Sequence, residues 1–165
     1  MSDAIYIRSA MDADLKSVQA LLRTAWHASY DRIHGAEKIA VITADWHSLA
    51  NLAANLKRPW SEFRLADTGE GLAGVAYAAQ SSEDYVVLHQ LYVDPTKTGQ
   101  GIGAELLSEC FEAFPEAKAF RLEVDSQNAG AKRFYERHGF REISRTENCG
   151  KDGSGMPAIV MEKRA

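Results

Sequence analysis

Three glycines at alternate positions, Gly99, Gly101 and Gly103, lie between an apolar segment that ends at Val93 and a helical pattern that begins at Ile102. Lacking Cβ atoms, they let the backbone come close to a ligand, and a helix start leaves several N–H groups without intrahelical acceptors at the positive end of its dipole. The chemistry such a segment serves is the holding of an anion, a phosphate or pyrophosphate above all. A glycine-rich turn from strand to helix with no ligand is the plainer alternative.

Three phosphate-binding templates compete for this segment. The Walker pattern G-x-x-x-x-G-K-[ST] occurs nowhere in the chain. The dinucleotide pattern G-x-G-x-x-[GA] occurs at Gly69/Gly71/Gly74 and at Gly99/Gly101/Ala104. The first leads into a strand pattern and fails on context. The second has Glu123 or Asp125 as candidate ribose partners, but Asp94 to Thr98 separate the strand from the glycines, and only about 40 residues follow Val124. A six-stranded doubly wound sheet does not fit in that remainder.

The third template is an acyl-CoA loop. Leu91-Tyr92-Val93-x-Pro95 followed by Gly99-x-Gly101-Ile102-Gly103 resembles the pyrophosphate-binding motif of the GNAT superfamily of N-acetyltransferases. Asn128-x-x-Ala131-x-x-Phe134-Tyr135-Glu136-x-x-Gly139-Phe140 resembles that family's second signature, in the expected order. Thr98 departs from the pattern, since the family usually carries Arg or Gln there. The resemblance implies acetyl-CoA as co-substrate, with no metal, held by Leu91, Tyr92, Val93, the run Thr98-Gly99-Gln100-Gly101-Ile102-Gly103-Ala104, and Asn128, Ala131 and Tyr135. It implies transfer of acetyl to a primary amine of a small molecule or a peptide by direct attack in a ternary complex. A non-catalytic CoA-binding module of the same fold is the alternative.

Within that frame each candidate has a role. Asn128, Ala131 and Tyr135 are spaced i, i+3, i+7, so they share one helix face over two turns. Asn128 is suited to bond the pantetheine arm and Tyr135 to donate to the departing sulfur, with a helix cap and a core aromatic as the bland alternatives. A lysine-like acceptor costs about 4.6 kcal/mol to deprotonate at pH 7 and an α-amino group about 1. Glu123, between core-facing Leu122 and Val124, is the first candidate base and His89 the second, with a water chain or plain solvated residues as alternatives. Trp26 and Tyr30 lie four apart near an irregular stretch from Asp31 to Ile42, a region from which similar proteins build the acceptor pocket; that Trp26 is simply a core residue is the plainer reading. Lys97, Lys132 and Arg133 are candidates for the nucleotide phosphates.

The elements follow from periodicity. Ala4 to Arg8 alternates as a strand, and Asp12 and Asp14 precede a helix with Leu15, Val18, Leu22, Ala25 and Trp26 on one stripe. Gly35 breaks the period, and Thr43 is read as the N-cap of a second helix carrying Trp46, Leu49, Leu52, Ala53 and Leu56 until Arg58-Pro59. Strands are read at 63–66, 72–79, 85–93, 119–124, 140–145 and 158–163, and helices at 102–114 and 129–138. The strand, helix and strand from Tyr85 to Val124 form a parallel crossover. The fold class is therefore α/β (α+β): a mixed, mostly antiparallel central sheet of about six to seven strands with helices on both faces, as a single N-acetyltransferase domain over 1–165.

Composition sets outer limits. The chain has 165 residues, 45% hydrophobic and 25% charged, with a net charge of -4, which is an ordinary globular profile. The acidic balance speaks against a nucleic-acid partner that relies on bulk positive charge. No apolar run reaches the length of a membrane span or a signal peptide, which gives the expectation of a cytoplasmic protein without membrane contact. Cys110 and Cys149 sit in no metal-ligand spacing and are read as inert thiols. The acceptor amine is the expected partner, and a homodimer remains open.

Overall fold

The stripe read from the sequence is buried as its spacing predicts: Leu15, Val18, Leu22, Ala25 and Trp26 are all inside. A computed structural model describes residues 4–150 and 153–165. Met1 to Asp3, and Lys151 and Asp152 of the glycine-rich segment near Cys149, lie outside the described residues. The elements are β1 (Tyr6–Ser9), α1 (Leu15–His34), α2 (Ala36–Trp46), α3 (Leu49–Lys57), β2 (Ser61–Asp67), β3 (Leu72–Gln80), β4 (Tyr85–Val93), α4 (Ile102–Ala113), β5 (Ala119–Asp125), α5 (Ala129–Arg137), β6 (Arg141–Thr146) and β7 (Ala158–Arg164). Seven strands form one sheet in the order β1-β2-β3-β4-β5-β7-β6. The β4–β5 pair is parallel, with Tyr85 to Val87 against Ala119 to Arg121, as the crossover requires. The chain divides into two compact units, Met1–Ala79 with Gln90–Ala113, and Gln80–His89 with Phe114–Ala165.

In the first unit, β1, β2 and β3 pair antiparallel. One face carries Leu65, Val75 and Tyr77 against Leu15, Val18, Leu22 and Leu52 of α1 and α3. The opposite face of β3 is built from small residues, Gly74, Ala76 and Ala78, all in strand register with one another. A Cβ on Gly74 would meet Leu106 Cδ1 at 2.8 Å, Ile102 Cγ2 at 3.1 Å and the Tyr92 carbonyl at 3.2 Å. The absent side chain at Gly74 is therefore what lets α4 rest on the strand.

The stretch from Asp31 to Ile42 corrects the sequence reading. It is not irregular: α1 runs on to His34, and after Gly35, at φ +89°, α2 occupies Ala36–Trp46. Thr43 is not a cap. It is buried within α2, and its hydroxyl donates to the Ile39 carbonyl at 2.9 Å. The cap of α3 is Ser48, whose hydroxyl accepts from Asn51 N–H at 3.1 Å. The physical reason is that Ile39 and Thr43 sit at i, i+4 and bury one face of a separate short helix, while a single glycine bends the chain without ending its helical character.

In the second unit, β5 and β6 each pair antiparallel with β7, and β6 carries a register shift between Glu142 and Ser144. Glu162, 3% exposed, accepts from Arg121 Nε at 2.8 Å and Arg164 Nε at 2.9 Å. The Arg121 guanidinium lies 4.1 Å over the Tyr85 ring. These paired charges hold the Glu162 carboxyl below its ordinary range, the hydrogen bond from Arg121 most of all.

Candidate active site

The glycine segment is placed by β4 and by the turn that follows it. Asp94 N–H bonds the Ala73 carbonyl at 2.8 Å, which fixes the end of β4 to β3. Its carboxylate accepts from Thr96 N–H at 2.9 Å and from the Thr96 hydroxyl at 2.8 Å, closing a single 3-10 turn over Pro95–Lys97. Those bonds, the backbone one first, hold the Asp94 carboxyl below its usual range. Thr98 is then extended, and its hydroxyl reaches back to the Pro95 carbonyl at 3.5 Å.

Gly99 and Gly101 both sit at φ +80°, and Gln100 between them does not have positive φ. A left-handed residue beside one of ordinary hand is the backbone pattern that anion-binding nests use. The first helical bond of α4 runs from Glu105 N–H to the Gly101 carbonyl at 3.0 Å, so Ile102, Gly103 and Ala104 supply the amides that precede it. Around Gly99 and Gly101 a Cβ would meet nothing within 4 Å. Glycine is needed there for backbone conformation and not for space, whereas at Gly74 it is needed for space.

The same unit places Trp26 and Tyr30. Their ring centroids are 4.8 Å apart, and Trp26 also contacts Trp46 at 5.7 Å, His47 at 5.3 Å and Tyr92 at 6.0 Å. Trp26 is thus a core residue and the hub of an aromatic cluster with half-buried members. His47 is one residue the sequence reading missed. It is 4% exposed, and burial pushes its pKa down to about 4, so it is neutral at physiological pH. Its only sequence signal is a place next to Trp46, at the end of a helix that was not expected.

In the second unit, Asn128 is the N-cap of α5: its Oδ1 accepts from Ala131 N–H at 3.1 Å. The helix-cap alternative is what the structure contains, which leaves the Asn128 amide N–H groups for any further partner. Tyr135 is half-buried, with its ring 5.5 Å from Phe140. Glu123 is exposed, and its carboxylate accepts from Gly150 N–H at 2.6 Å and from the Cys149 thiol. His89 lies exposed on β4. Lys132 pairs with Glu142 at 3.6 Å. Cys110 and Cys149 are free thiols, each pushed up to about 12 by burial first of all, a condition in which the nucleophilic thiolate is scarce. Among the described residues no three His, Cys, Asp or Glu side chains gather for a metal, and no helix is long and apolar enough to cross a membrane.

A seven-stranded mixed sheet whose crossover helix opens on left-handed glycines defines a class, the acyl-CoA N-acyltransferase fold. The family described as acetyltransferase (GNAT) domain matches residues 30–165, and the chain belongs to it. It is similar to the PaiA N-acetyltransferase of Thermoplasma acidophilum, solved in complex with coenzyme A, at 26% identity and TM-score 0.86 over 98% of this chain and 99% of that one. The ribosomal-protein-S18-alanine N-acetyltransferase of Escherichia coli shares the fold at 23% identity and TM-score 0.74, over 98% and 94% of the two chains. An uncharacterized protein of Mycobacterium leprae is 32% identical over 102 residues, which are 62% of this chain and 28% of that protein's length.

Proposed function

We propose that the protein transfers acetyl from acetyl-CoA to a primary amine by direct attack in a ternary complex. The observation that carries the reading is the pair of left-handed glycines, Gly99 and Gly101, at the start of α4, since that backbone suits a pyrophosphate and needs no basic side chain. The coenzyme A complex of the Thermoplasma acidophilum protein supports the same cofactor.

In this reading the amides from Gly99 to Ala104 hold the pyrophosphate, and the main chain at Leu91 and Val93 pairs with the pantetheine arm as an added strand would. Asn128 offers its amide N–H groups and Ala131 a small surface to the arm. The acceptor nitrogen attacks the thioester carbonyl, a C–N bond forms as the C–S bond breaks, and the acetyl group leaves the sulfur. The departing thiolate takes the phenolic proton of Tyr135, and the proton lost by the amine passes to Glu123 directly or through water. Thr98 and Gln100 border the phosphates, and Tyr30 and His89 face the acceptor.

Calorimetry with coenzyme A and a thiol-release screen of acetyl-CoA against peptide N-termini, lysine peptides, polyamines, amino acids and aminoglycosides test the proposal. It expects cofactor binding and release with at least one amine class. Absence of coenzyme A binding would overturn it, and binding without release from any class would point to a non-catalytic module.

A further inference from the structure

α5 has nine residues, none of them fully buried, and a helix that short is marginal without packing. Its ends therefore matter more than its faces. Asn128 caps the first turn. The last turn carries Tyr135 and closes on a glycine. Gly139 has φ +93°; its N–H bonds the Glu136 carbonyl at 3.1 Å, and Phe140 N–H bonds the Tyr135 carbonyl at 3.0 Å. These two bonds make a Schellman stop, which an apolar contact between the residue after the glycine and the last turn frequently accompanies. Here that contact is the Phe140 ring against the Tyr135 ring, with centroids 5.5 Å apart and planes at 73°. Phe140 is 3% exposed, so the tyrosine ring leans on a buried wall.

Another carbonyl at this end is taken from outside the helix. Lys163 of β7 donates from Nζ to the His138 carbonyl at 2.8 Å. Lys163 stands opposite the buried Phe120 in the β5–β7 register, and its side chain crosses the bare side of Gly139. A Cβ on that glycine would meet Lys163 Nζ at 3.1 Å, Cε at 3.5 Å and Cδ at 3.6 Å. The missing side chain thus serves both the left-handed turn and the passage of the lysine. A cation here also opposes the negative end of the helix dipole, and a hydrogen bond from an ammonium is stronger than one from a neutral donor. The sheet thereby grips the turn of α5 that carries Tyr135.

We infer that Lys163 is a positioning residue for Tyr135: it ties the end of α5 to β7 and so holds the phenol where its proton can pass to the departing sulfur. The lysine works through main chain and touches no reacting atom. The inference rests on the acetyltransferase reading and on the part that reading gives Tyr135, and it adds a residue of β7 to the control of that proton.

The test is a double-mutant cycle in the full-length protein, with steady-state kinetics on acetyl-CoA and an amine accepted in the thiol-release screen. Lys163→Met keeps the apolar stem and removes the donor and the charge. It is expected to lower kcat by about tenfold, the order of penalty that a misplaced group carries, with KM for acetyl-CoA and coenzyme A affinity within about 2-fold of wild type. Lys163→Arg, which restores a cationic donor, should recover most of the loss. In a Tyr135→Phe background Lys163→Met should lower kcat no further, because the group it positions is gone. The Tyr135 ring signals in NMR, assigned by their loss in Tyr135→Phe, should shift in Lys163→Met. Where Lys163→Met does not fold, Lys163→Gln takes its place in the cycle. An unchanged kcat, an additive loss in the double variant, or no recovery in Lys163→Arg would each overturn the inference. The outcomes also separate the readings: additive losses with Tyr135→Phe impaired sink this inference alone. Equal turnover of Tyr135→Phe removes the role of the tyrosine and this inference with it, and failure to bind coenzyme A sinks the acetyltransferase reading.

Discussion

The glycine loop and the Trp26 cluster belong to the same compact unit and are built in opposite ways. The loop presents backbone with open space around it at Gly99 and Gly101, and the identity of its side chains matters little. The cluster is almost all side chain, buried, with polar atoms left over. Main chain can hold a group whatever side chains surround it, whereas a buried cluster depends on the identity of each of its members. α5 combines the two modes of construction, since its cap and its tyrosine are side chains set on a short regular scaffold.

The contrast can be broken in several places. The largest effect belongs to the buried side. His47 stays neutral in the fold down to about 4, whereas an unfolded histidine takes up a proton below about 6.5. Stability is therefore unaffected by His47 above that value and falls as pH drops through the window between the two, by up to about 3 kcal/mol. Urea unfolding from neutral to mildly acid pH should show a steep loss that His47→Phe flattens; an equally steep loss in the variant would mean that other groups are responsible. Next comes Tyr135→Phe, for which turnover should drop by about 100-fold with coenzyme A affinity unchanged, as expected for a lost proton donor. Equal turnover would remove Tyr135 from the chemistry.

Gly101→Val places a branched side chain at a positive φ, where an L-residue costs roughly 1–2 kcal/mol. Coenzyme A affinity should fall by about tenfold or more, read by calorimetry, and an unchanged affinity would show that the loop conformation is not the binding one. Asn128→Ala should cost about 1 kcal/mol of stability through the lost cap, and a drop in coenzyme A affinity on top of that would separate a ligand contact from the cap. The smallest effect sharpens the comparison best: Gln100→Ala should alter affinity by less than about 3-fold, because the loop offers its amides and not that side chain. A large loss would show that the loop reads the cofactor through its side chains after all.

Much of this was legible before any coordinates. The loop announced itself because glycine spacing is a local signal tied to a backbone conformation, and the crossover from β4 through α4 to β5 followed from periodicity. The region from Asp31 to His47 was not legible. Gly35 reads as a break in either a loop or a pair of helices, and the burial of Ile39 and Thr43 depends on a packing surface that the local pattern does not display. His47 escaped for the same reason: a lone histidine has no spacing, and only the ring beside it gives it meaning. Glu123 shows a third limit. Alternation correctly turned it away from Leu122 and Val124, yet nothing in the sequence ties it to Gly150, a partner that arrives from a distant loop.

One consequence remains at Gly74. Because β3 puts no side chain of its own at Gly74, Leu106 and Ile102 of α4 rest directly on the strand, and the helix behind the glycine loop is fastened to the sheet. On the function proposed above, cofactor binding then orders no loose segment, and little conformational entropy is lost on association. The site should behave kinetically as a rigid receptor, with a cofactor on-rate governed by encounter and not by closure, so that changes in affinity appear chiefly as changes in residence time.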